Sequence, residues 1–412
     1  MNKPSAFIID AVRTPRSAGK PGKGKLCNLH PQHLLSTTLA ALSERNAFNT
    51  ADVDDVIEGC GSQRGNQGSD IARMAALDAG WDSDATGVTV DRFCGSGLTA
   101  INLAAMGIMS GMQELTVGGG VEKMSDTPIM PMPALTDSNN AHLRDLHPTP
   151  HQGICADVIA TQEGITREEA DAIAVESQRR AAIAIENGYF KQSLIPVYHR
   201  DGTLALGIDD FNRPGTTVES LAQLNPAFVD LYDQPLDDDQ VTCRDLVERS
   251  WPELRVNHIH HAGNSSGVVD GAAAILLASE QYTRDHGLKP RARIVAMANG
   301  SCDPRLMLNA PADAARKCLA KAGMTASDID LWEINEAFAV VPLKFMREMN
   351  LDSSIVNVNG GAMALGHPIG ATGAMLVGTL LDELERRDLS TGLITLCAAG
   401  GMAPALIIER MG

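Results

Sequence analysis

The chain has 412 residues, of which 44% are hydrophobic, 21% charged and only 4% aromatic. That length exceeds what one simple core holds, and the core must be built from Ala, Val, Ile, Leu and Met. A formal charge of −17 argues against nucleic acid and anionic membranes as partners, and any phosphate-bearing ligand must be met by a local positive patch.

The eight Cys contain no CxxC pair, so neither a zinc cage nor a disulfide framework is suggested. Residues 1–20 hold no apolar run of signal-peptide length. No stretch is apolar for long enough to span a bilayer. A reducing, cytoplasmic location is expected.

In chain order, residues 6–12 read as a strand that ends at Arg13-Thr14-Pro15. A helix is expected over 34–44, a strand over 55–58 and a second helix over 69–79. The β-branched strand 87–90 runs into Phe93-Cys94-Gly95-Ser96-Gly97 and a small-residue helix, 98–110. Residues 115–117 form a strand expected to end in Gly118-Gly119-Gly120. Alternation at these lengths predicts an α/β fold with buried sheets. The Pro-containing stretch 124–150 reads as irregular. An amphipathic helix over 166–188 opens on the capping box Thr166-Arg167-Glu168-Glu169 and closes on Asn187-Gly188. Residues 204–239 read as irregular, and the run Asp237-Asp238-Asp239 as a solvated loop, since no EF-hand spacing surrounds it. The C-terminal part repeats the N-terminal one. Asp328 to Glu333 echoes Asp52 to Glu58. Ile355-Val356-Asn357-Val358 before Gly360-Gly361 echoes the strand before Cys94. Ile394-Thr395-Leu396 before Cys397 and Gly400-Gly401 echoes Thr116-Val117 and its glycines. This implies two similar halves, residues 1–121 with 256–281 and residues 282–412, with a loop domain at 122–255.

Cys94 sits on a tight turn at a helix N-terminus. A free thiol of pKa about 8.5 is only about 3% thiolate at pH 7, and the helix end and a nearby base raise that fraction. The bland alternative is a buried structural Cys. His367 lies in residues 359–373, which hold five glycines. Those glycines read as folding the chain around a His stiffened by Pro368 rather than as core packing. A neutral imidazole there can take a proton from Cys94. A phosphate loop is the alternative, but the spacing fits neither the Walker pattern nor GxGxxG after a strand. Cys397, at an equivalent strand end, is a second thiol able to act as acid or base. Asn335, beside Glu336, is either a donor to an oxyanion or its water or a helix N-cap. Residues 262–274 suit a loop packed against a slender ligand, then a buried strand. His258 and His260 share a strand face; satisfied structural histidines outweigh a metal site.

These motifs together resemble the thiolase family over essentially the whole chain, in the family's order and spacing. The resemblance implies a thiolase fold: α/β, two similar halves with mixed sheets and helices in layers, plus an inserted loop domain that holds CoA. It implies an acetyl-CoA C-acyltransferase of the degradative branch, cleaving 3-ketoacyl-CoA with CoA, with acetoacetyl-CoA synthesis as the alternative direction. Cys94 would be the nucleophile, His367 its base and Cys397 the proton donor to the acetyl carbon. Asn335 and His367 would hold the enolate oxyanion, and backbone N–H groups near Cys94 and Ala399 the other one. His151, Arg213, Ser220, Phe228, Ser266, Met307, Ala337 and Phe338 would line the CoA and pantetheine channel. No cofactor is implied, since CoA is a substrate. Acyl-CoA and CoA are the expected partners, in a homodimer or homotetramer open to complexes with other β-oxidation enzymes. Residues 122–132 resemble the segment that ties dimers into tetramers. Three positions depart from the family's usual pattern: Ala399, Gln152 beside His151, and Cys155-Ala156-Asp157. A ketosynthase-type condensing enzyme would carry His or Asn in place of Cys397. A non-catalytic scaffold would have lost Cys94, His367 or Cys397.

Overall fold

A computed structural model describes residues 5–127, 136–236 and 240–412. The acidic run Asp237 to Asp239 and residues 128–132 of the tetramer segment therefore lie outside the described residues.

The chain builds one large sheet from strands β1 (Ala6–Arg13), β2 (Asp55–Gly59), β3 (Gly87–Val90), β4 (Leu115–Lys123), β5 (Val269–Ser279), β6 (Ala292–Ser301), β7 (Leu331–Ile334), β8 (Thr391–Thr395) and β9 (Met402–Arg410). Their spatial order is β7-β8-β9-β6-β1-β5-β4-β2-β3. β2 is parallel to β3 and β4, β4 is antiparallel to β5, and β5 is antiparallel to β1. The second half repeats this: β7 is parallel to β8, β8 antiparallel to β9, and β9 antiparallel to β6. The halves join where β1 meets β6, through Phe7 opposite Arg293 and Ile8 opposite Ala292. The duplication expected from the motifs is thus present in the strand order. Its weakest member is the stretch around Ile355 to Val358, which forms only a parallel bridge from Val356 to Trp332.

Period-2 burial explains the layers. On β5, Ala272, Ala274, Leu276 and Ala278 face an outer core with helices α1 (Pro31–Asn46) and α2 (Ile71–Asp78). Ala273, Ile275 and Leu277 face a central core. Strands buried on both faces read as continuous apolar runs. The central core is filled by α3 (Ser96–Met109) and its counterpart α9 (Thr372–Arg387). A third core packs α7 (Ala310–Ala322) and α8 (Val340–Met349) on the other outer face. Among the described residues, no strand of the large sheet falls between Lys123 and Val269. That stretch carries α4 (Gln152–Glu163), α5 (Arg167–Glu186) and the short α6 (Val218–Ala222). The capping box of α5 is present, and Gly188 takes φ +69 beyond its C-cap Asn187.

The glycines after Val117 do not end β4; the strand runs through them. A Cβ on Gly118 would stand 2.7 Å from Ile101 Cα, and one on Gly120 would stand 2.0 Å from Gly370 O. They are there for close approach of α3 and the 370 loop, not for a turn.

Candidate active site

Three of the candidate residues follow a strand, Cys94 after β3, Asn335 after β7 and Cys397 after β8, while His367 lies in the loop after the one-turn helix Ala362–Leu365. After β3, Arg92 to Gly95 make a turn in which Phe93 has φ +49. Ser96 Oγ accepts from Arg92 N at 2.8 Å and donates to Phe93 O at 2.6 Å. This turn delivers Cys94 two residues before α3, partly open to solvent. Gly95 packs against Ala398 and Pro404, where a Cβ would meet Pro404 Cδ at 2.9 Å. Cys397, buried just after β8, therefore lies beside the Cys94 turn, and Cys94 raises the cost of ionising it. Burial, then the Glu122 carboxylate, push the Cys94 thiol up to about 12. Burial first, then Cys94, lift Cys397 well above the ordinary thiol range.

Asn335 follows β7 and is buried. The helix N-cap reading fails, because α8 begins five residues later with Ala339 at its N-cap. Asn335 Nδ2 lies 3.4 Å from His367 Nε2. His367 Nδ1 lies 2.6 Å from Thr372 Oγ1, whose own hydrogen goes to Pro368 O at 3.0 Å. Nδ1 must then carry the imidazole hydrogen, which leaves Nε2 as a base. Burial, then the neighbouring Arg16 guanidinium, lower the His367 pKa to about 4. The imidazole is neutral at pH 7.

The glycines around His367 need a correction. Gly360 and Gly366 do supply left-handed turns, at φ +76 and +90. Gly370 and Gly373 instead serve packing: a Cβ on Gly370 would stand 2.5 Å from Gly59 O, and one on Gly373 would stand 2.2 Å from Leu98 N. The His367 loop is pressed backbone-to-backbone onto the half that carries Cys94.

Residues 264–267 thread between the segment after Asn335 and the His367 loop. Ser266 N donates to Ala337 O at 2.9 Å, Ala339 N to Asn264 O at 3.0 Å, and His367 N to Gly267 O at 2.8 Å. Beside them, His151, Phe228 and Phe338 form a continuous aromatic wall, with ring centroids 5.6 and 6.0 Å apart. Met307 and Ala337 are buried in the core that also takes in Phe338. Arg213 and Ser220 lie further out and exposed, near α6. Leu221 of α6 packs on Gly263, where a Cβ would meet Leu221 Cδ2 at 2.5 Å. Ala399 is absent from the left-handed residues of its turn, which are Gly400 and Gly401, so its methyl group causes no backbone strain.

Of four buried neighbours, the sequence names Glu336 and Asp157 without a role and does not single out Thr372 or Arg16. Thr372 and Arg16 hold His367 and its loop, with Arg16 Nη1 donating to Gly366 O at 3.1 Å. Glu336 accepts from Ser177 Oγ at 2.6 Å and Met363 N at 3.2 Å. Asp157 is fully buried and accepts from His258 Nδ1 at 2.8 Å and His260 Nδ1 at 2.7 Å. The Cys155-Ala156-Asp157 departure and the histidines are therefore one feature: the Asp pins both rings. Among the described residues, no group of three or more His, Cys, Asp or Glu could hold a metal.

The model of the thiolase N-terminal domain matches residues 6–231 and that of the thiolase C-terminal domain residues 288–410. The chain is 40% identical to the steroid 3-ketoacyl-CoA thiolase FadA6 of Mycobacterium tuberculosis, over 98% of this chain and 94% of that one. It is 39% identical to the β-ketoadipyl-CoA thiolase of Pseudomonas putida and 38% identical to the 3-ketoacyl-CoA thiolase FadA of Escherichia coli K12, each over 98% of this chain and 99% of the relative. The crystal structure of the Bacillus anthracis acetyl-CoA acetyltransferase superposes with a TM-score of 0.83 at 36% identity, covering 99% of both chains. With both domain models matched and relatives of this identity aligned over nearly full length, the chain belongs to the thiolase family.

Proposed function

We propose that the chain is a degradative acyltransferase that cleaves 3-ketoacyl-CoA with CoA, giving acetyl-CoA and a shortened acyl-CoA, in the breakdown of fatty acids or related acyl groups. The observation that carries the reading is the neutral imidazole of His367, its Nε2 a free base beside Asn335 and its loop packed against the half bearing Cys94.

Cys94 passes its proton to His367 Nε2 and attacks the 3-keto carbon. The C2–C3 bond then breaks, with the acetyl-CoA enolate as leaving group. Cys397 gives its proton to the enolate carbon, and Asn335 with His367 hold the enolate oxygen through a water. The CoA thiol next gives its proton to the Cys397 thiolate and attacks the acyl-Cys94 thioester, and the leaving Cys94 thiolate takes back the proton held on His367. An oxyanion-hole donor of this kind is worth about 3–4 kcal/mol. The Ala399 N–H, which has no backbone acceptor among the described residues, suits the other oxyanion. The wall of His151, Phe228 and Phe338, with Ser266, Met307 and Ala337, takes pantetheine. Arg213 and Ser220 lie where the CoA phosphates enter.

The test is CoA-dependent loss of acetoacetyl-CoA, a linear long-chain and a bulky cyclic 3-ketoacyl-CoA, with acyl capture on the Cys94 peptide followed by mass. Preference for a longer or cyclic chain is expected. Preference for acetoacetyl-CoA favours the short-chain acetyltransferase activity. No turnover of any substrate with Cys94 still titratable, or normal turnover by Cys94→Ser, refutes the mechanism.

A further inference from the structure

Cys94 and His367 belong to different halves, so their separation depends on what ties the 366–372 loop across the boundary. Two buried charged side chains of the N-terminal half do so. Arg16 donates to Gly366 O. At the other end of the loop, Glu122 Oε2 accepts from Gly370 N at 2.8 Å and, with the same oxygen, from Gly61 N at 2.8 Å. Glu122 is fully buried near the end of β4; burial raises its own pKa, which the N–H groups of Gly61 and Gly370 and the Ser62 side chain pull back down. A single carboxylate oxygen thus staples the loop after β2 to the loop that carries His367. Leaving a carboxylate so deep costs several kcal/mol unless the bonds it makes are needed.

We propose that Glu122 is a positioning residue of the Cys94–His367 pair, holding the His367 loop in register across the two halves and setting a carboxylate in the same buried layer as the nucleophile's turn. The proposal rests on Cys94 being that nucleophile. The charged or titratable groups around the Cys94 thiol are Asp91 on its own turn, Glu122 on β4, Cys397 after β8 and, on the proposed mechanism, His367. Those around Glu122 are Asp91, Cys60 and Cys94. Glu122 and Arg16 act in the same sense. A carboxylate beside the thiol disfavours thiolate, and a guanidinium beside the imidazole disfavours imidazolium. The resting pair is therefore neutral thiol and neutral imidazole, and the ion pair forms only as the 3-keto carbon is attacked.

Two substitutions separate the staple from the charge. Glu122→Gln keeps an oxygen able to accept both N–H groups but removes the charge. Glu122→Asp keeps the charge but is one methylene too short to reach both. The readout is the pH dependence of Cys94 alkylation by iodoacetamide, followed by peptide mass on full-length protein with native circular dichroism, together with kcat and KM for 3-ketoacyl-CoA. In the parent, alkylation rises only toward alkaline pH. In Glu122→Gln the midpoint moves down by about one pH unit or more. In Glu122→Asp the midpoint stays high while kcat drops by about 10²-fold. A Glu122→Gln midpoint equal to the parent's, or a parent alkylated equally at pH 5 and pH 8, overturns the charge role. A folded Glu122→Asp with parental kcat overturns the staple. Should the Asp variant not fold, the isosteric Gln variant still decides through its midpoint. Failure of the catalytic reading shows separately, as a parent that keeps turning over after Cys94 is alkylated.

Discussion

Thr372→Val replaces one hydroxyl by a methyl of nearly the same shape, at a position packed in the central layer. The hydroxyl is the acceptor for His367 Nδ1–H at 2.6 Å. Its loss leaves a buried N–H without a partner, which costs about 1–3 kcal/mol. The imidazole has a way out: Asn335 Oδ1 is buried and unpartnered, so moving the hydrogen to Nε2 and turning the amide gives it an acceptor. On the proposed mechanism, that tautomer offers Cys94 no base. If it is favoured by about 1–3 kcal/mol, the competent fraction and kcat fall by roughly 5- to 150-fold, at 1.36 kcal/mol per decade. KM for the acyl-CoA should stay near its parental value, because Thr372 is buried with its hydroxyl between His367 Nδ1 and Pro368 O. Steady-state thiolysis gives both constants, and a single-turnover burst of acyl-Cys94 isolates the first half-reaction. Thr372→Ser should restore both, since its hydroxyl can accept again. A Thr372→Val enzyme with parental kcat would show that the Thr372 hydroxyl does not set the tautomer of His367.

Acid should weaken the folded state through histidine. His367 and His151 both have pKa values lowered to about 4, chiefly by burial, whereas an unfolded His titrates near 6.5. Between those values the unfolded chain binds more protons, so stability rises with pH and is lost as pH falls from about 6.5 toward 4. The urea midpoint should drop between pH 7 and pH 5, and less so in a His151→Phe variant. Gly373→Ala drives a Cβ to 2.2 Å from Leu98 N. Because the obstacle is backbone, the cost should reach or exceed the roughly 1–3 kcal/mol of ordinary overpacking, read as a lowered urea midpoint. Asp157→Ala strips the acceptor from two imidazoles and from the N–H groups of Ile259 and His260. It should cost at least about 3 kcal/mol, with Asp157→Asn in between; equal thermal stability of all three proteins would refute the assigned role.

Local signals carried much of this molecule. The strand ending at Val90, the helix closed by Asn187 and Gly188, and the capping box at Thr166 are each written in a few adjacent residues, and each is present. What stayed hidden depends on residues far apart in the chain. Gly120 is confined by Gly370, 250 positions later, so a glycine that normally breaks a strand instead lets two layers touch. Asp157 and the pair His258 and His260 each stood out alone, but their hydrogen bonds join residues about 100 apart. Cys94, Asn335, His367 and Cys397 could be named as candidates because the proposed chemistry dictates residue type. Thr372, Glu122 and Arg16 act by direction and reach, which only folded geometry reveals.

The strand order gives the halves an internal correspondence with a further consequence. Glu58 pairs with Gly119 and Glu333 with Ile394, so three residues on, Glu122 occupies the place that Cys397 holds in the other half. Two residues before the central helices α3 and α9, Cys94 corresponds likewise to Gly370. The Glu122–Gly370 staple is thus the counterpart of the Cys397–Cys94 encounter, one location used twice with different side chains. The copy that binds tightly through backbone fixes the frame, and the copy bearing sulfur is left free to exchange protons. On the proposed roles, exchanging the two pairs between the halves would lose the frame and the proton exchange together, because each location is used for one task only.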